Sequence, residues 1–347
     1  MARSLFTRFS PIGLDLGSHS FKAVQLKQSR TGWQVAASVS LSRLAPDAPI
    51  DESEIERLQG VFDRRGFVGR DIVVALPTAN LLTTILELPA RAPGVPLDQI
   101  AAVEFARVHK QDAATLTMST WELPTPARAS KATYMLAVGA LSAKLESHMD
   151  LVESLGLNVV AIEDPSTAMV RGCHYLAGDP TGFTAVIDLG WEMARLVILR
   201  DNAIIYTRKL SDSGLRRLHR NALEACGGDH EAVEQELWRV GFDEHASADF
   251  ANTGVLDLLG SYITGAINEI VQAFSYTTHQ YPDAVISRAV LAGGGAAIPK
   301  IAKPFETEMG VPTSVAGSSH NPSSSEESWS SLASALGLAL WTDGSDE

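Results

Sequence analysis

The feature that most constrains the fold of this chain is a hairpin pattern that occurs twice. Asp15-Leu16-Gly17 lies in "IGLDLGSHSFKAVQL", a stretch that realigns on Asp188-Leu189-Gly190 in "AVIDLGWEMARLVILR". Along the two stretches Lys22 falls opposite Arg195, Val24 opposite Val197 and Leu26 opposite Leu199. Each then passes a polar turn (Ser29 to Gly32; Arg200 to Asn202) into a second strand, "WQVAASVSL" or "AIIYTRKL". Self-similarity inside a chain marks a repeated structural unit, so a duplicated fold is predicted. A length of 347 residues agrees, being too long for one small core.

Composition narrows the function. Twenty-eight basic against 41 acidic residues give a net charge of −13. This argues against a nucleic-acid partner, whose recognition is driven largely by cationic surface. The two cysteines, Cys173 and Cys226, allow no disulfide framework and no CxxC zinc pattern, which fits a reducing compartment. No apolar run approaches the roughly 18 to 20 residues that span a bilayer. The N-terminal "MARSLFTRFS" reads as a frayed leader without a signal-peptide core. A cytoplasmic protein of more than one subdomain is therefore expected. The nine histidines are scattered with no i, i+4 pair on a helix, so a histidine metal site is not expected. GxSxG, Walker A and HExxH patterns are lacking as well.

Periodicity places the other elements. "DESEIERLQGVFDRRG" (51–66) predicts a helix with acidic residues in its first turn and Gly66 past its end. "DIVVALP" predicts a buried strand stopped by Pro77, and "LDQIAAVEFARVHKQ" an amphipathic helix. "MSTWEL" and "ATYMLAVGAL" predict strands around the "PTPARAS" loop. Leu145, Met149, Val152 and Leu155 form a helical stripe closed by Gly156. The longest helix is expected over about 255–281, on the stripe Leu256, Leu259, Ile263, Ile267, Ile270 and Phe274, with Pro282 ending it. "RAVLAGGGAAIPKI" predicts a strand, a glycine turn and a helix from near Pro299. Residues 313–330 are Ser-rich and read as a loop, and "SLASALGLALW" as a closing helix. Strands alternating with helices in two blocks point to an α/β fold with mixed sheets.

The turn after Asp15 carries chemistry. Backbone N–H groups in a glycine-permitted hairpin can form an anion-binding nest. Gly17, the hydroxyls of Ser18 and Ser20 and the ammonium of Lys22 suit phosphate oxygens. Asp15 suits them only through Mg²⁺ or its water shell. Asp188 and Gly190 of the second hairpin would act in the same way, so the two hairpins could clamp one nucleotide. Gly293, Gly294 and Gly295 follow an apolar strand and allow close backbone approach by a ligand, which makes them candidates for the adenosine side.

The order of DLG hairpin, second DLG hairpin and "LAGGG" resembles the actin-like ATPase superfamily, and within it the PilM family of type IV pilus assembly proteins. The resemblance covers nearly the whole chain, with "INEIVQAFSYTTHQYPDAVISRAVLAGGGAAIPKI" its closest stretch. It implies an α/β actin-like ATPase fold of two RNase-H-like halves, mixed sheets flanked by helices, plus an inserted 1C-type subdomain. The halves would fall as 10–80 with 161–182 and 328–342 (1A), and 183–210 with 276–327 (2A). The 1C insertion would be 81–160, and a helical 2B subdomain 211–275. "LVESLGLNVVAIEDPSTAMVRG" resembles the connecting helices.

The resemblance further implies ATP and Mg²⁺ held in a cleft at Asp15, Gly17, Ser18, Ser20, Lys22, Asp188, Gly190, Glu234 and Gly293 to Gly295, with Asp15 and Asp188 meeting the metal through water. It implies a scaffold at the cytoplasmic face of the inner membrane that binds the N-terminal tail of a PilN-like membrane protein. Pilus motor ATPases and a second copy of the chain are further partners on this reading. The chain departs from the family where Trp191 and Met193 replace small and hydroxyl residues. It departs again where Leu237 stands at an expected Lys, with Arg239 nearby. These departures predict slow or absent hydrolysis. An FtsA-like filament protein and a small-molecule kinase of the same superfamily remain as alternatives.

Overall fold

The computed structural model describes residues 8–46, 48–125, 132–210, 212–226, 233, 235, 237–239, 241–242, 250–318 and 328–343, with the backbone alone at 226 and 250–256. The chain divides into two compact units, Met1–Arg171 with Ser334–Glu347 and Gly172–Ala333. The divisions fall inside two helices, Pro165–Ala177 and Trp329–Ala339.

The first unit opens with β1 (Ile12–Leu16), β2 (Ser20–Ser29) and β3 (Gly32–Ser42), an antiparallel meander. Helix α1 (Glu52–Arg65) follows as predicted. Asp51 caps it by accepting the Glu54 N–H at 3.0 Å, and Gly66 leaves it at φ 79°, where a side chain would be strained. The Asp51 carboxyl is held below the usual aspartate range by the Ser53 hydroxyl and then by the Glu54 N–H. Next comes β4 (Asp71–Ala75), which runs parallel to β1.

A second, three-stranded antiparallel sheet is made by β5 (Leu82–Leu88), β6 (Leu116–Glu122) and β7 (Thr133–Leu141), in the order β5-β7-β6. Helix α2 (Leu97–His109) sets Leu97, Ala101 and Phe105, one face at helical spacing, against Leu86, Leu88, Met135 and Ala137. The first sheet is completed by β8 (Asn158–Glu163), parallel to β4, giving the order β3-β2-β1-β4-β8. The segment that resembles connecting helices therefore holds a strand between the end of α3 (Ser142–Glu153) and the start of α4 (Pro165–Ala177). Its "NVVAIE" is β-branched and short, and pairing with β4 decides its state.

On α3 the buried His148 donates its Nε2–H to the Ala75 carbonyl at 3.1 Å. Burial pulls its pKa below the ordinary value of 6.5. The unfolded chain therefore binds the proton more readily. The stability this neutral imidazole contributes is complete above pH 6.5 and is lost as pH falls through the depressed folded value. Melting of the full chain is expected to drop between pH 7.5 and pH 5, and His148→Gln is expected to flatten that slope.

The second unit repeats the five-stranded sheet of the first. It contains β9 (Phe183–Leu189), β10 (Ala194–Arg200), β11 (Ala203–Leu210), α5 (Leu215–Cys226), α6 (Phe250–Gln280), β12 (Ile286–Ala292), α7 (Ala302–Met309), β13 (Thr313–Val315) and the start of α8 (Trp329–Ala339), whose residues from Ser334 on belong to the first unit. Its sheet order is β11-β10-β9-β12-β13, again an antiparallel meander followed by two parallel strands. Leu259, Ile263, Ile267 and Ile270 of α6 are buried in its core with Ile187, Leu189 and Leu196. Each such side chain contributes about 1.5–3 kcal/mol by leaving water. Phe274 is partly buried against the same core, and the Leu256 side chain lies outside the described residues.

Two expectations shift. After β12 the glycine run makes a short 3₁₀ turn, Gly294–Ala297, and the helix begins only at Ala302. The Ser-rich segment contributes a strand at Thr313–Val315; its residues 319–327 lie outside the described ones.

Candidate functional site

In the first hairpin, Asp15 pairs with Lys22 and Leu16 with Phe21, leaving Gly17, Ser18 and His19 as the turn. Neither Asp15 nor Lys22 has a side-chain hydrogen bond or ion pair among the described residues. In the second hairpin Asp188 pairs with Arg195 and Leu189 with Ala194, so the two copies share one register. The glycine of each DLG is dictated by space. A Cβ on Gly17 would come within 2.8 Å of the Ser20 carbonyl oxygen, and one on Gly190 within 2.7 Å of that of Met193. Real side chains do not tolerate such contacts with backbone.

Both turns have two successive carbonyls held from outside. The Ser18 carbonyl accepts from the Arg43 guanidinium at 3.3 Å and the His19 carbonyl from the Arg43 backbone N–H at 2.9 Å. In the second turn the Gly190 carbonyl accepts from Leu215 N–H at 3.0 Å and the Trp191 carbonyl from Arg216 N–H at 2.9 Å. These are the first N–H groups of α5, which a helix cannot satisfy internally. All peptide bonds described are trans. In a trans peptide the C=O and the following N–H point oppositely, so the N–H groups of His19, Ser20, Trp191 and Glu192 point away from those anchors. Successive N–H groups turned to one side can hold an anion.

The side chains of the two turns differ. The first offers two serine hydroxyls. In the second, the Trp191 indole packs against the second unit's core with its ring 5.4 Å from that of His219.

Asp188 lies against the glycine run. β12 pairs with β9 so that Ala292 is opposite Asp188. Gly293, at φ 84°, has its α-carbon so close to Asp188 that a Cβ would strike Oδ1. A Cβ on Gly295 would meet the Leu189 Cβ at 2.8 Å. Asp188, Gly190, Gly293 and Gly295 therefore come together in the second unit, as Asp15, Gly17, Ser18, Ser20 and Lys22 do in the first. Gly294 lies 3.8 Å, measured from where its Cβ would sit, from the Leu215 side chain. Glu234 lies outside the described residues.

The Asp188 charge reaches two buried neighbours. The Cys173 thiol is pushed up to about 12 by burial and then by that carboxylate, with Arg288 opposing. The Tyr262 hydroxyl is raised by the same two causes. A thiol so shifted stays protonated at neutral pH and is no nucleophile. Among the described residues no group of three or more His, Cys, Asp or Glu side chains could hold a metal ion unaided.

Sequence reasoning missed Arg43 and Glu54. The two are buried and joined by three hydrogen bonds, Nε to both carboxylate oxygens at 3.1 Å and Nη2 to Oε2 at 2.7 Å. Nothing local predicts a pair separated by a loop and a helix start; only an Arg left inside the fold betrays it.

Two β-meanders of one register, each closed by a DLG turn and extended by parallel strands, define the actin-like ATPase fold. Solved structures of that fold are similar over nearly the full length. One is titled as a PilM-PilN type IV pilus biogenesis complex, at TM-score 0.75 and 17% identity, covering 95% of this chain and 98% of that one. The ethanolamine utilization protein EutJ from Carboxydothermus hydrogenoformans is similar at TM-score 0.56 and 14% identity, covering 99% and 93%. MreB 5 of Spiroplasma citri bound to AMPPNP is similar at TM-score 0.54 and 12% identity, covering 97% and 96%. The model of the type IV pilus assembly protein PilM family matches residues 13–342. The chain belongs to the PilM family of type IV pilus assembly proteins.

Proposed function

We propose that the chain is an ATP-binding scaffold of type IV pilus, or related type II secretion, assembly that holds the cytoplasmic tail of a PilN-like inner-membrane protein. The observation that carries the nucleotide half is the first hairpin. A carboxylate and an ammonium, neither with a side-chain partner among the described residues, lie opposite each other on two strands, beside two hydroxyls and two outward N–H groups. That donor set suits a phosphate with its Mg²⁺. Asp15 would meet the metal through water, and Lys22, Ser18 and Ser20 would meet phosphate oxygens. The space beside Asp188, which a Cβ on Gly293 would fill, suits a ligand's close approach in the second unit. Bound Mg²⁺ would neutralise phosphate charge that Asp15 alone would repel.

The partner half is supported by family membership and by the similar structure titled as a PilM-PilN complex. No helix among the described residues is long and apolar enough to cross a membrane, so placement at the inner membrane would come through such a partner.

Calorimetric titration of MgATP into the full chain tests the first half. Micromolar binding is expected, weakened at least tenfold by Asp15→Ala and by Lys22→Ala. A wild-type chain with no heat of binding would overturn it. A fluorescent peptide of a PilN-like N-terminal tail tests the second: saturable anisotropy supports the scaffold, and a flat trace removes it.

A further inference from the structure

We propose that Arg43, held by Glu54, is a positioning residue that sets the first phosphate turn. The role rests on the reading of that hairpin as a phosphate site. Arg43 touches the turn twice, through the Ser18 carbonyl with its guanidinium and through the His19 carbonyl with its own backbone. The same guanidinium donates to the Ala48 carbonyl at 2.7 Å and stands 5.6 Å over the Phe21 ring. Glu54, in the first turn of α1, fixes the other edge of the fork and also accepts the Leu44 N–H at 3.0 Å. One planar cation thereby ties the turn, the end of β3 and the start of α1 into a single frame.

Arg43 does for the first turn what the N-terminus of α5 does for the second. It draws two carbonyls to one side and leaves the N–H groups of His19 and Ser20 on the other. Lysine cannot replace it, because a point-like ammonium does not serve a carboxylate and the carbonyls of Ser18, Pro46 and Ala48 in one fixed plane. Disorder in the turn would scatter the N–H groups and the serine hydroxyls, and an anion would then have to bear the cost of ordering them.

The test compares Arg43→Lys with Leu58→Ala, a truncation on α1 in the core of the first unit. Amide hydrogen exchange without ligand and MgATP affinity are measured on both. In Arg43→Lys, exchange at residues 17–21 is expected to speed at least tenfold relative to β4, and affinity to fall at least tenfold. In Leu58→Ala, exchange should rise evenly through the unit while affinity stays within about twofold. Equal behaviour of the two variants, or an unchanged turn in Arg43→Lys, would show Arg43 to be only part of the core. A wild type that binds no MgATP would remove the phosphate reading, and exchange alone would then decide whether Arg43 sets the turn.

Discussion

Gly13→Ala is expected to cost the first unit about 3 kcal/mol or more, and Gly172→Ala the second unit as much. Gly13 is the second residue of β1, where an added Cβ would run into the Ala335 carbonyl oxygen and the Ala339 nitrogen of α8. At Gly172 it would strike the carbonyl of Ala333. Each obstacle is backbone, so relief requires a whole helix to shift. Gly60→Ala should move stability the other way. Gly60 lies inside α1, and its added methyl would meet only the flexible end of Arg64, at 3.7 Å. Alanine there is expected to stabilise by about 0.5–1 kcal/mol through helix propensity. Urea denaturation of the three variants measures both signs. A Gly13→Ala chain within about 1 kcal/mol of wild type would mean that α8 does not lie tight on β1.

Glu54→Gln is expected to destabilise by about 3–5 kcal/mol, because it leaves the Arg43 charge buried and unpaired. The side chains of this pair are 5% and 1% exposed, so neither charge is rescued by water. Breaking the Arg91–Glu122 pair by Glu122→Gln should change stability by less than about 1 kcal/mol, since both partners are half-exposed and screened. Salt separates the two further: added NaCl should erase what little Glu122→Gln does and leave the Glu54→Gln deficit in place. Equal small effects in both variants would mean that the Arg43 site admits water.

Much of this was legible in the sequence wherever the cause is local. The alignment of Lys22 with Arg195 became a structural identity, since each lies opposite the aspartate of its own DLG. The helix over 52–65 announced itself by its cap and by Gly66, and the end of α6 by Pro282. The glycine run reached Asp188 because a parallel strand delivered it there. What stayed hidden depends on distant partners. Strand β8 exists because β4 offers it an edge. The helix expected near Pro299 starts later because the chain first closes a 3₁₀ turn against Leu189. The Arg43–Glu54 frame needs a loop to fold back, and Trp191 reads as an intrusion until His219 is seen beside it.

The glycines of the two DLG triplets carry a consequence for how such chains diverge. Each is required by the carbonyl three residues ahead in its own turn, whether or not anything is bound. A copy that lost its ligand would therefore keep the triplet as long as it kept the fold. The triplet reports the fold, and the three residues after it are free to differ. Ser-His-Ser in one half and Trp-Glu-Met in the other set the two turns apart, the first presenting hydroxyls and the second bracing its own unit from within.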